Sequence, residues 1–103
     1  MIYTRIRLRN GPQKFRAFFG DKFFTVSILY RDAEAGGGWY ADFVPEDGSS
    51  PLYGVPLLTG EDLWGQFDYL NWGHLWVVAE AGDADLSAFE GLTENVSLIW
   101  GGD

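Results

Sequence analysis

Ile2, Thr4, Ile6 and Leu8 alternate with Tyr3, Arg5, Arg7 and Arg9. A period of two with one apolar side predicts a half-buried strand. Asn10-Gly11 follows, a dipeptide that favours a two-residue hairpin turn because both of its positions tolerate positive φ. Residues 13–19 alternate again, with Phe15, Ala17 and Phe19 on one side and Lys14, Arg16 and Phe18 on the other. A hairpin closed at Asn10-Gly11 sets Ile6 opposite Phe15, Thr4 opposite Ala17 and Ile2 opposite Phe19. It also sets Arg7 beside Lys14 and Arg5 beside Arg16, and like charges directly opposed destabilise a ladder. Gly20-Asp21 predicts a second tight turn, after which residues 22–31 form a third strand. Phe24, Val26, Ile28 and Tyr30 then point inward, with the first three opposite Ala17, Phe15 and Gln13. The expectation for the first third of the chain is a three-stranded meander.

Residues 32–38 form a loop around Gly36-Gly37-Gly38, and residues 39–44 a strand with Trp39, Ala41 and Phe43 on one side. Residues 45–50 are rich in turn formers. Residues 52–58 are apolar but broken by Gly54 and Pro56, so they predict an edge or bulged strand, since Pro cannot donate to a ladder. Thr59-Gly60-Glu61-Asp62 has the form of a capping box. Leu63, Phe67 and Leu70 then share one side of a short helix, which Gly65 keeps from growing long. Asn71 and Gly73 close it. Residues 74–80 and 96–100 are the last two strands. Between them residues 81–92 are acidic and rich in small side chains, with one helical turn expected around residues 86–89. The expected fold is all-β: about seven short, mostly antiparallel strands in a sandwich or partly closed barrel with one short capping helix. Residues 1–103 are expected to form one domain.

Composition sharpens this picture at one point. All seven basic residues (Arg5, Arg7, Arg9, Lys14, Arg16, Lys22, Arg31) lie within residues 1–31, beside a single acid, Asp21, so that segment carries 7 − 1 = +6. Residues 32–103 hold fourteen acids and no Lys or Arg, hence −14, and the two sum to −8. So complete a split predicts a two-faced molecule. Eighteen aromatics (eight Phe, five Tyr, five Trp) favour strands and contact surfaces. With no Cys there is neither a disulfide nor thiolate chemistry. Arg5, Arg7 and Arg9 argue against a signal peptide, and no apolar run approaches the roughly 20 residues of a membrane span.

Candidate chemistry is sparse. His74 is the one histidine, without a second His or a Cys to help it hold a metal, so a structural role is expected. No Ser lies in a nucleophile elbow, and the glycines at 36–38 precede a strand rather than a helix, so they are not a phosphate loop. Glu46-Asp47 and Glu61-Asp62 are sequence neighbours at loop tips, and such pairs diverge into water. Asp83, Asp85, Ser87 and Glu94 match positions 1, 3, 5 and 12 of a calcium loop, but position 6, which needs Gly, is Ala88. Asp83, Asp85 and Glu94 are the residues that would hold a metal; none is expected, and no cofactor. The basic segment with Tyr3 and Phe18 has the makings of a nucleic-acid surface, but the −14 remainder repels a polyanion, so no stable nucleic-acid binding is expected. Either acids of the same chain or those of a neighbour cover the basic face.

The order of short motifs carries a resemblance. Phe24-Thr25-Val26-Ser27-Ile28-Leu29-Tyr30-Arg31 is followed by Gly38-Trp39-Tyr40-Ala41-Asp42. Gly54-Val55-Pro56-Leu57, Gly60-Glu61-Asp62-Leu63 and Gln66-Phe67 come next. Gly73-His74-Leu75-Trp76-Val77-Val78, a Gly82-Asp83 loop and Val96-Ser97-Leu98-Ile99-Trp100 complete the order. This resembles the small baseplate plug proteins of tailed bacteriophages over residues 15–100. Trp64, Trp72 and His74 depart from it, standing where smaller or aliphatic residues are expected. The resemblance implies a non-enzymatic structural component at the centre of a phage or prophage tail baseplate. It would be made and assembled in the bacterial host cytoplasm and would contact hub, spike or tail-tube proteins as a homo-oligomer in the virion. The charge split suits ring or head-to-tail assembly, and an acidic surface suits a conduit that DNA passes without sticking. Arg5, Arg7, Lys14 and Arg16, with Trp64 and Trp72, are the expected interface. The alternative is a monomeric β-domain that binds a sugar or peptide through exposed aromatics.

Overall fold

The computed structural model describes residues 2–31, 38–79, 92 and 96–102. Among them are seven strands: β1 (Ile2–Arg7), β2 (Gln13–Phe19), β3 (Lys22–Arg31), β4 (Gly38–Pro45), β5 (Leu52–Pro56), β6 (His74–Ala79) and β7 (Val96–Gly102). They form two antiparallel sheets, ordered β1-β7-β6 and β2-β3-β4-β5. The sheets face each other as a sandwich and do not close into a barrel.

The alternation of the sequence sets the core. Ala17 and Phe19 of β2, Phe24, Val26 and Ile28 of β3, and Trp39, Ala41 and Phe43 of β4 are buried on the inner side of the larger sheet. Leu75 and Val77 of β6 and Val96, Leu98 and Trp100 of β7 meet them from the smaller one. The Gly20-Asp21 turn holds as expected: Phe19 pairs with Lys22, Ala17 with Phe24, Phe15 with Val26 and Gln13 with Ile28. β5 is an edge strand with a register shift between Ala41 and Phe43, as Gly54 and Pro56 imply. At that bulge the Gly54 N–H donates to Asp42 Oδ1 at 2.8 Å.

The first hairpin is a correction. β1 does not pair with β2. It pairs with β7, which places Thr4 opposite Trp100, Arg5 opposite Ile99 and Arg7 opposite Ser97. The meander is instead β2 to β5. After β1 the chain crosses between the sheets, with Leu8 fully buried and its N–H donating to the Val96 carbonyl at 2.9 Å. Gln13 holds the crossing: its Oε1 accepts from the Arg9 N–H, and its Nε2 donates to the Arg9 and Gly11 carbonyls. The physical reason lies in the charges. Pairing with β7 gives Arg5 and Arg7 the neutral neighbours Ile99 and Ser97 in place of Arg16 and Lys14.

The segment between β5 and β6 closes one end of the sandwich. The expected capping helix is a 3₁₀ segment, Gly65–Leu70, kinked at Phe67 and followed by Asn71 at positive φ. Its N-terminal acceptor is Asp62: Oδ1 takes the Trp64 N–H at 3.1 Å. The same segment covers the outer edge of β6, where Gly60 N–H donates to Val77 O, Leu63 N–H to Leu75 O, and Leu75 N–H to Asp62 Oδ1. An edge occupied in this way cannot template another strand. The expected helical turn at residues 86–89 and the loop at 32–37 lie outside the described residues.

Candidate functional site

Two tryptophans expected on an interface are in the core. Trp64 is 1% exposed and Trp72 6%. The Trp64 ring sits 5.2–5.8 Å from the rings of Trp72, Phe43, Phe24 and Phe19, as a plug between the sheets. Its indole N–H has no hydrogen-bond partner among the described residues. Trp100 stacks on Phe19 and donates Nε1–H to the Trp72 carbonyl at 2.7 Å. A short irregular segment gives no period from which to read burial, so the sequence marked these residues only as large. Four of five Trp are buried, and Trp76 is half-buried. Among the described residues, a sugar- or peptide-binding platform of exposed aromatics would have to rest on half-buried Trp76 and on exposed Tyr3, Phe18, Phe23, Tyr53 and Tyr69.

His74 has a partner that sequence spacing did not announce. Its Nδ1 lies 2.6 Å from Asp62 Oδ2. Partial burial pushes the Asp62 carboxyl upward, but the Leu75 N–H, the His74 ring and the Trp64 N–H together outweigh it. They hold the carboxyl below the usual carboxylate range. The Leu75 and His74 contacts join the segment before the 3₁₀ turn to β6 and the Trp64 contact is local to that segment, which is a structural use. Among the described residues no group of three or more His, Asp or Glu could hold a metal. The partial calcium pattern Asp83, Asp85 and Glu94 lies outside them.

The basic residues are rearranged by the corrected pairing. Arg5 and Arg7 belong to the smaller sheet and Lys14 and Arg16 to the larger, so they are not cross-strand neighbours. Arg7, Arg9, Lys14 and Arg16 meet instead along a groove of about 370 Å³ between the edges of β1 and β2. Half-buried Ile6 and Phe15 line it, and among the described residues no carboxylate does. A second groove of about 530 Å³ continues toward the other end of these strands, where Ile2 and Thr4 face Phe18 and Phe19 with Trp100 behind them. Arg5 lies outside both and donates Nε–H to Ser97 Oγ at 3.2 Å. Arg9, which the expected interface did not include, lines the groove. Its signal was the run of three alternating arginines.

Part of the basic surface is covered from within. Glu46 accepts from Arg16 Nε and Nη2 at 2.6 and 3.0 Å, which raises the guanidinium pKa further, and Arg16 lies 3.7 Å over the Phe23 ring. Lys22 donates to Asp47 Oδ2 at 2.7 Å, and Lys22 with Ser49 holds that carboxyl far below its ordinary value. The acids come from the turn after β4, carried there because Glu46 continues the ladder by donating its N–H to Phe23 O. The side chains of Arg9 and Lys14 are exposed and have no ion-pair partner among the described residues.

The family model described as cyanophage baseplate Pam3 plug gp18 matches residues 1–103. The chain belongs to this family. No match was found among curated proteins. Membership of the baseplate plug family supports a structural role in a phage tail baseplate, a place in the virion and contact with other baseplate or tail proteins. A baseplate plug works through its surfaces, which makes the basic groove between β1 and β2 the site to explain.

Proposed function

We propose that this chain is a plug in the central, hub region of a phage or prophage tail baseplate, and that it acts by protein–protein assembly rather than catalysis. Residues 1–103 serve as one β unit, made and assembled in the bacterial cytoplasm. The observation that carries this reading is the full-length family match. The hub, spike and tail-tube proteins are the partners, and several copies assemble in the virion. The exposed cations at the β1–β2 groove dock on an acidic surface of a neighbouring subunit or hub protein. Charge complementarity of this kind sets partner choice and orientation, and fourteen acids in residues 32–103 supply such a surface on every copy.

The test is incorporation into particles. Arg9→Glu with Lys14→Glu leaves the purified chain folded, because both side chains are exposed. It lowers the amount of the chain in purified tails, and raised salt weakens the wild-type contact in the same direction. Absence of the wild-type chain from purified tails overturns the baseplate reading. Undiminished incorporation of the double variant overturns the electrostatic docking.

A further inference from the structure

We propose that the open edge of β2 takes an extended acidic segment of a partner protein as an added antiparallel strand. This rests on the docking reading above and specifies its geometry. Phe19 and Lys22 flank the two-residue turn Gly20-Asp21, and in such a hairpin the flanking pair exchanges both main-chain bonds. The antiparallel alternation then turns the main chain of Phe19, Ala17, Phe15 and Gln13 toward β3. The N–H and C=O groups of Phe18, Arg16 and Lys14 point to the open side. No ladder or bridge joins that side to β1 among the described residues, and the two grooves separate the strands.

Of the other three edges two are treated differently, while β1 is unbroken like β2 and faces it across the same groove. β6 is covered by residues 59–63, and β5 carries Pro56 and a register shift. β2 pairs with β3 over all seven residues without a break, so its edge is straight and regular. Regular edges are where strand addition occurs, with the main chain giving affinity and alternate side chains giving specificity.

The chemistry of the occupant follows from its neighbours. Its outward side chains lie beside exposed Lys14 and beside Arg16, which Glu46 already pairs, with Arg9 at the end of the groove; among the described residues no carboxylate lines that groove. Acids therefore belong at every second position. Its inward side chains lie over half-buried Ile6 and Phe15 and are apolar. A second copy of the chain fits poorly. β2 against β2 sets cations beside cations, β1 is equally basic, and β5 contains no acid and one Pro.

The experiment uses the full chain and a nine-residue peptide of alternating Asp and Val. Two further peptides carry N-methyl groups, one on the Asp residues and one on the Val residues. Binding is followed by calorimetry, and amide exchange by NMR. In the proposed register the Asp N–H groups bond to β2. The parent peptide therefore binds and slows exchange at Lys14, Arg16 and Phe18. Methylation of Asp weakens it by about tenfold or more, and methylation of Val changes affinity by no more than about threefold. Equal binding of all three peptides overturns strand addition while leaving electrostatic docking intact. No binding of the parent peptide at low salt also overturns it, and particles carrying Arg9→Glu with Lys14→Glu then show whether docking falls too. Concentration-dependent protection of the same three amides without peptide makes a second copy the occupant and overturns the proposal.

Discussion

Asp62→Ala removes the acceptor that joins two parts of the fold. Asp62 Oδ1 accepts the Trp64 and Leu75 N–H groups, both at 3.1 Å, and Oδ2 meets His74 Nδ1 at 2.6 Å. Leu75 is 0% exposed and Trp64 1%, so water reaches neither amide easily. A buried N–H left without a partner costs about 1–3 kcal/mol. Two of them, both in part-buried bonds, give roughly 2–4 kcal/mol, a large part of the ~5–15 kcal/mol that holds a domain together. For a chain of this size that lowers Tm by about 10–20 °C. Asp62→Asn keeps an oxygen for both amides and loses only the charge, for about 1 kcal/mol. His74→Ala costs less still, because that pair is partly exposed. Urea titration of the three variants at neutral pH gives the ranking. The pH dependence gives a second check. The folded carboxyl lies below its unfolded value of about 3.9. Its contribution is therefore complete above that value and lost as pH falls through the folded one. The gap between wild type and Asp62→Ala narrows below about pH 4. An Asp62→Ala protein within 0.5 kcal/mol of wild type, a threshold set by ordinary surface substitutions of about that size, would refute the reasoning.

Gly73→Ala is expected to prevent stable folding. Gly73 has φ +92°, and an added Cβ would lie 2.8 Å from the Gly101 carbonyl and 2.9 Å from Trp100 Nε1. Gly48→Ala is the control: its φ is +87° with nothing within 4 Å, so only local strain of about 1–2 kcal/mol applies. Comparing their thermal midpoints separates crowding from backbone strain, and equal losses would show the crowding to be irrelevant. Trp64→Phe deletes an unpartnered buried N–H along with part of a ring, so it costs well under the roughly 3–5 kcal/mol of Trp64→Ala; denaturation curves that coincide for the two would contradict this. Calcium is expected to leave Tm unchanged, whereas a specific ligand at 100 times its Kd stabilises by about 2.7 kcal/mol. A rise with calcium and not with magnesium would reveal a site at Asp83, Asp85 and Glu94.

What the sequence showed depended on how many partners each pattern allowed. Residues 13–31 were legible in register because one two-residue turn and one apolar alternation left a single solution. β5 was legible as an edge because Pro56 admits little else. β1 was legible as a strand but not in its pairing, since Ile2, Thr4 and Ile6 match the inner side of β7 as well as that of β2. The clash of Arg5 with Arg16 and Arg7 with Lys14 was the visible sign against a hairpin, and the Asn10-Gly11 turn outweighed it. The site was legible as composition only. That Arg9 and Lys14 lie exposed along a groove depends on how two sheets stack, and that Arg16 is held by Glu46 depends on the β3–β4 ladder running on to residue 46; no local period encodes either.

The perpendicular packing of Trp64 on Trp72, with ring centres 5.2 Å apart, has an optical consequence. Two indoles this close and this tilted couple their electronic transitions. The circular dichroism of the folded chain then carries an exciton couplet superposed on the signal of the strands. The couplet depends on the mutual orientation of one ring from the end segment and one from the approach to β6. It disappears when that end of the sandwich loosens, even while the ladders persist, and so reports the state of the plugged end separately from that of the sheets.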